Sequence, residues 1–305
     1  MIESSRRAPV ARRRFLTALA GLGFIWAASA HSAEMLVHVH GLAYSADGKT
    51  LMVPSHHGLA IYERGKWRKA PGLQHDYMGY SATRERIYSS GHPAPGSGLA
   101  NPFGLIRSKD GGRTWDKLGL EGETDFHQLA AGWNTNAIYI WNPAPSSRMK
   151  KAGLHYTLND GLVWRAAAAA GLSGEPQALA VHPDNPATVA VSTAEGVFLS
   201  RDHGARFIPV ARGVQGLALH FDLDGKRLWL GSFAADAAHL SRIDLETRMI
   251  EPAPTPHWGR DAVSYVAQNP VSRAEYAIAT FGRSVFLSRD AGRTWAQIAD
   301  RGRVR

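Results

Sequence analysis

One turn recurs along this chain. "LIRSKDGGRTW" (105–115), "LHYTLNDGLVW" (154–164), "VFLSRDHGARF" (197–207) and "VFLSRDAGRTW" (285–295) share a Ser/Thr-x-Asp/Asn-x-Gly core, with the Thr-Trp end loosened in the middle two. Their first residues are Ser108, Thr157, Ser200 and Ser288, at intervals of 49, 43 and 88, and 88 is two periods of 44. A missing copy is expected near residue 244, where "HLSRIDLETRM" (239–249) is degenerate. An earlier one is expected near residue 62, where "LAIYERGKWRKA" (59–70) keeps a short turn and Trp67 but no Asp. Six units of about 45 residues then fill 34–305, a length at which four-stranded propeller blades repeat.

Every unit has the same parts. Unit six reads "AVSYVAQNP", "EYAIATFG", "SVFLSRD", "RTWAQIA", short runs of β-branched and aromatic residues broken by Gly, Pro, Asn and Asp. No stretch of 34–305 has helical periodicity. Ala166–Ala170 has high helix propensity but sits between Trp164 and Gly171, so it reads as strand edge or loop. The sequence predicts an all-β fold, a β-propeller of six four-stranded blades, with seven as the alternative count. The sequence leaves open how the ring closes, with "MLVHVHGLAYS" or the C-terminal tail as segments that could complete the last blade.

The repeated turn has a physical reason. Its carboxylate accepts backbone N–H groups across a tight hairpin, its hydroxyl adds a local bond, and its Gly takes a positive φ. The Trp buries a large area between neighbouring hairpins. Asp110, Asp202 and Asp290 therefore read as staples rather than as catalytic or calcium-binding groups.

There is no cysteine, which excludes disulfides and thiolate metal ligands. Of the net charge of +9, residues 1–30 carry +4. No basic stripe interleaves with aromatics, which argues against nucleic acid as a partner. "ARRRFLTALAGLGFIWAASA" has a basic start, an apolar run from Phe15 to Ala28 and small residues at Ala28 and Ala30. Residues 1–33 read as a cleaved export signal, and "RRRFLT" (12–17) resembles the twin-arginine type. Cleavage is expected after Ala30 or Ala33. The expected location is periplasmic or secreted, with no membrane span after cleavage.

The four segments resemble the BNR, or Asp-box, repeat of sialidase-like β-propellers, and the resemblance covers almost all of 34–305. The same boxes make the chain similar to photosystem assembly propellers. "HVHGL", "HDYMG", "SGHPAPGS" and "DFH" add a narrower resemblance to small exported bacterial proteins grouped as glycosyl hydrolase-like. That resemblance implies a propeller, and a glycoside hydrolase as one function. The sialidase arginine triad has no counterpart here, because His38 and His40 stand where its first arginine would be expected.

Aligned by unit, the innermost strands read "HGLAYS", "DYMGYS", "HQLAAG", "QALAVH", "QGLALH" and "DAVSYV". Their leading residues, His40, Asp76, His127, Gln177, Gln215 and Asp261, are expected to ring one mouth of the central channel. The turn after the second strand opens on the same face, with His56 and His57 in unit one and His92 in unit two. His38 is expected to share the face of His40 by the two-residue period of a strand. With His75, seven of the 14 histidines gather on units one to three. His38, His40, His56, His57, His75, His92 and His127 are the candidate metal ligands, with Asp76 or Asp125 as a carboxylate beside them. Imidazole clusters suit transition metals, zinc or copper first. His182, His203, His220, His239 and His257 read as ordinary structural histidines.

Asp76 and Asp125 are also the candidate catalytic carboxylates of a glycosidase. Glu123 and Asp261 lie near the same mouth, and 91–104 is a Pro/Gly-rich insertion that could cover it. Three functions follow. One is a metal-binding propeller, as carrier, sensor or metalloenzyme. Another is a glycoside hydrolase acting on a glycan or other small molecule. The third is a scaffold holding a protein partner.

Overall fold

The innermost strands are Ala43–Tyr44, Asp76–Ala82, Leu129–Ala131, Ala178–Val181, Gln215–Phe221 and Val263–Gln268. Each begins an antiparallel sheet whose further strands follow in chain order. In blade one these are Thr50–Ser55, Gly58–Glu63 and Lys66–Lys69. This computed structural model describes Met1 and Met35–Val304, so the export signal expected over 1–33 lies outside the described residues. Among the described residues there are six blades and no helix.

The apolar residues sort by seam rather than by blade. Six buried clusters each join one neighbouring pair of blades. Tyr88, Leu105, Ile138 and Ile140 fill the seam between blades two and three. Leu42, Leu51 and Val53 of blade one meet Ala277, Val285 and Ile298 of blade six, which closes the ring. Both faces of each blade are thereby covered, so the second and third strands are near-continuous apolar runs such as "VAVST" and "GVFLS", all buried.

The ring closes at blade six, which is built from one continuous segment. Blade six is complete with its own strands, Val263–Gln268, Tyr276–Thr280, Val285–Ser288 and Ala296–Asp300. The tail adds Arg303–Val304 as a fifth, outer strand. Residues before blade one join it there, where the Met35 and Leu36 amides both donate to the Gly302 carbonyl.

The repeated turns are stapled as their chemistry requires. Asp110 Oδ1 accepts the Arg113 and Thr114 amides at 3.0 and 2.9 Å, and its Oδ2 accepts the Thr114 hydroxyl at 2.6 Å. Asp290 repeats this pattern with Arg293 and Thr294. Asp202 and Asn159 do so more sparsely, each accepting one amide four residues on. The degenerate copy survives as Asp244 capping Thr247. Blade one instead turns on Arg64 and Gly65, both at positive φ, and needs no carboxylate.

These turns are also joints. Gly292 has φ +78°, and a Cβ there would lie 2.6 Å from the Trp229 ring of blade five. Asp160, beside Gly161 in blade three, receives Arg107 and Arg86 of blade two at 2.7 Å and also the Tyr88 hydroxyl.

The staples predict acid sensitivity. Burial pushes the Asp110 carboxyl up, but the Thr114 hydroxyl and amide and the Ser108 hydroxyl outweigh it and hold it down at about 2. The Thr294 hydroxyl and amide bring Asp290 to about 2 as well. Stability from these groups is complete above the ordinary carboxylate value and is lost as pH falls from about 4 through 2. An Asp110→Asn/Asp290→Asn chain should lose stability at neutral pH and show a shallower fall between about pH 5 and 2. Urea unfolding midpoints across that range check it.

Candidate metal centre

The chain reaches blade one through a kink. His38 lies at a bend with φ +54°, Val39 bridges Ser55, and the His40 amide donates to the Pro54 carbonyl at 3.0 Å. His56 begins the turn after the second strand, its amide held by the Val37 carbonyl at 3.0 Å. These bonds bring the three imidazoles together. Ring centres are 4.5 Å apart for His38 and His56, 4.7 Å for His40 and His56, and 6.2 Å for His38 and His40. One nitrogen from each lies within 4.8 Å of the others, a group that could hold a metal ion. His38 joins through the kink, not through the two-residue period expected from the sequence, because the strand starts only after it.

Asp76, at the head of blade two, lies against the group. His56 Nδ1 is 2.5 Å from Asp76 Oδ2. A carboxylate only accepts, so that nitrogen is the donor. His40 Nε2 is 3.7 Å from Asp76 Oδ1, and both atoms are buried without a hydrogen-bond partner. Burial lowers the His40 pKa to about 4; His56, His127 and His38 add to this and Asp76 opposes it. His40 is therefore neutral at neutral pH.

A second cluster sits one blade on. Asp125 Oδ2 lies 3.2 Å from His92 Nε2 and 3.0 Å from His127 Nε2. The His127 hydrogen bond, with the charges of His127 and His92, holds the Asp125 carboxyl below its ordinary range despite burial, and the same bond raises the His127 pKa. His92 also meets Asn101 at 2.7 Å, which ties the insertion to this cluster.

The remaining candidates are placed differently. His75 is buried against Tyr77 and Phe103, and its Nδ1 accepts the Ala94 amide at 2.9 Å, so it supports the insertion from beneath. His57 is exposed in the turn. Glu123 clamps the amide and hydroxyl of Ser147 at 2.5 and 2.7 Å. Asp261 accepts the amides of Ala262 and Gly282, both at 2.8 Å.

A cavity of about 220 Å³ lies between the innermost strands. His40, His127 and Gln177 line it, as do Leu217 and Phe281. Gln215 donates to Gln177 at 3.3 Å. Phe281 escaped the sequence reading, although it directly follows the second strand of blade six as His56 follows that of blade one.

No family model matches the chain, and no curated protein sequence matches it. Solved structures share its fold. A GH74 enzyme of Niastella koreensis is 16% identical with a TM-score of 0.59, over 88% of this chain and 46% of that one. The present chain thus spans about half the length of that enzyme. YCF48 bound to a D1 peptide is 16% identical, TM-score 0.51, over 87% of this chain and 83% of that one. Hydrazine synthase of Kuenenia stuttgartiensis is 13% identical, TM-score 0.53, over 84% and 79%. At these identities the likeness is one of fold.

Proposed function

We propose that this chain is a transition-metal-binding β-propeller, in which His38, His40 and His56 supply nitrogens and Asp76 a carboxylate oxygen to zinc or copper. One observation carries the reading. His40 Nε2 and Asp76 Oδ1 face each other at 3.7 Å, buried and without hydrogen-bond partners. With its proton on Nδ1, a neutral His40 presents a lone pair at Nε2 opposite that carboxylate oxygen. Leaving buried polar atoms unpaired costs about 1–3 kcal/mol each. A cation between them satisfies both. Ligand atoms on a tetrahedral zinc stand roughly 3.3–3.6 Å apart, given bonds of about 2.0–2.2 Å.

A glycosidase has less support. Its general acid needs a carboxyl held above the ordinary range, whereas that of Asp125 is held below it and Asp76 is committed to His56. The stapled turns support a place among BNR-repeat propellers. The N-terminal segment supports export to the periplasm or the exterior.

Elemental analysis of the chain, produced with its own N-terminal segment and purified without chelator or affinity tag, tests the metal reading. About one equivalent of zinc or copper is expected, removable by chelator and restored at micromolar metal. A metal-free chain that takes up neither ion at that level overturns it.

A further inference from the structure

The channel wall holds two polar side chains that no other described residue engages. His220, in the innermost strand of blade five, lines the cavity between the blades, and its Nε2 is buried without a hydrogen-bond partner. The sequence marks it as a structural histidine, yet it ties nothing together. Burial alone lowers its pKa to about 4, so it is neutral. Tyr265, in the innermost strand of blade six, lines the same cavity, and its ring packs against the seam of blades one and six. Burial alone raises its hydroxyl pKa to about 12, with no bond or charge acting on it.

The two sit at one level of the channel. Ala218 pairs with Gly231, whose missing Cβ admits Val263 of blade six; a Cβ there would lie 3.0 Å from Val263 and 3.1 Å from Ala218. His220 and Tyr265 each come two residues later, on strands that pack side by side. Each strand also carries a bulge by this point, between Gly216 and Ala218 and between Val263 and Tyr265. Bulges re-aim side chains and are common beside functional sites. A buried N–H without an acceptor is a rarer defect than a buried lone pair without a donor. The His220 proton therefore belongs on Nδ1, the nitrogen left to the cavity. Nδ1–H and the Tyr265 hydroxyl are then two donors facing that space. Among the described residues no Asp, Glu, Lys or Arg lines the cavity, so nothing there offsets the charge of an ion. Its volume is about 220 Å³, and an apolar cavity of about 150 Å³ holds a benzene ring.

We infer that the channel binds a small neutral molecule of one ring that carries a carbonyl acceptor, hydrogen-bonded by His220 and Tyr265. The site needs none of the proposed metal ligands, so it stands whether or not a metal is bound. Benzamide is the probe, with toluene as a ring lacking the acceptor and benzoate as its charged counterpart. Binding to the purified chain is followed by calorimetry, with and without chelator. Benzamide is expected to bind saturably below millimolar concentration in both conditions, and toluene and benzoate about tenfold more weakly or worse. Tyr265→Phe removes one hydroxyl, and His220→Phe keeps a ring without its nitrogens. Each is expected to weaken benzamide about five- to tenfold. Both should fold, since groups that bond nothing lend the fold nothing; circular dichroism checks this, and should one fail to fold, the other decides. No saturable benzamide binding at millimolar concentration, equal binding of toluene or benzoate, or undiminished binding in the folded variants overturns the inference. Binding lost with chelator places the probe at the metal and overturns it too.

Discussion

Replacing His40 by alanine is expected to lower zinc or copper affinity by about a hundredfold or more, since loss of even an outer-shell partner typically costs 10–100-fold. His40 is the least exposed member of the histidine group, and its buried Nε2 faces Asp76 with no hydrogen-bond partner. Asp76→Asn should cost about 10–100-fold, because it keeps the shape but removes the charge and weakens the hold on His56. His57→Ala is the control. It changes an exposed imidazole in the same turn as His56 and should leave affinity as it was. Competition against a chromophoric chelator measures all three, with circular dichroism confirming that each is folded. Wild-type affinity in His40→Ala would place the metal elsewhere.

Trp229→Ala is expected to destabilise the chain by about 3–5 kcal/mol. Trp229 is fully buried in the seam between blades five and six. Its indole N–H donates to Asp222 at 2.8 Å, beside the Tyr276 hydroxyl at 2.7 Å. The Arg242 guanidinium stacks 4.2 Å above its ring, and Gly292 packs against its edge. Burial already raises the Asp222 pKa. The alanine variant leaves a cavity and removes one of that carboxylate's donors. Trp229→Phe retains much of the packing and should lose distinctly less. Urea unfolding ranks the two, and equal losses would mean that the hydrogen bond, not the volume, dominates the site.

The architecture was legible because propeller blades are repeats. A turn whose Asp, Gly and hydroxyl all answer local hydrogen-bonding needs leaves a pattern in one dimension. The nearness of His40 and Asp76 was legible for the same reason, since both head innermost strands. What the period does not encode stayed hidden. His38 reaches the group through a positive φ that no alternation rule contains. His75 directly precedes an innermost strand yet turns under the insertion to accept the Ala94 amide. Asp160 reads as one more loop residue, and only the register of two blades brings it between Arg86 and Arg107. Phe281 lies in a segment whose place at the mouth was legible, but an apolar residue gave no chemical reason to choose it.

The six seams are alike in packing but not in the order in which a chain can make them. Five join blades adjacent in sequence. The sixth brings Trp67 to donate to the Ile298 carbonyl at 2.9 Å, and Asn269 to the Gly48 carbonyl at 2.8 Å, across more than 200 residues. Closing so long a loop carries an entropy cost that local contacts do not share, so this seam is the natural last step of folding. Blade one, which carries the three clustered histidines, is one wall of that seam. The grouped residues come from blades one and two, a sequence-adjacent pair, so an ion held by them would stabilise that pair before the ring closes.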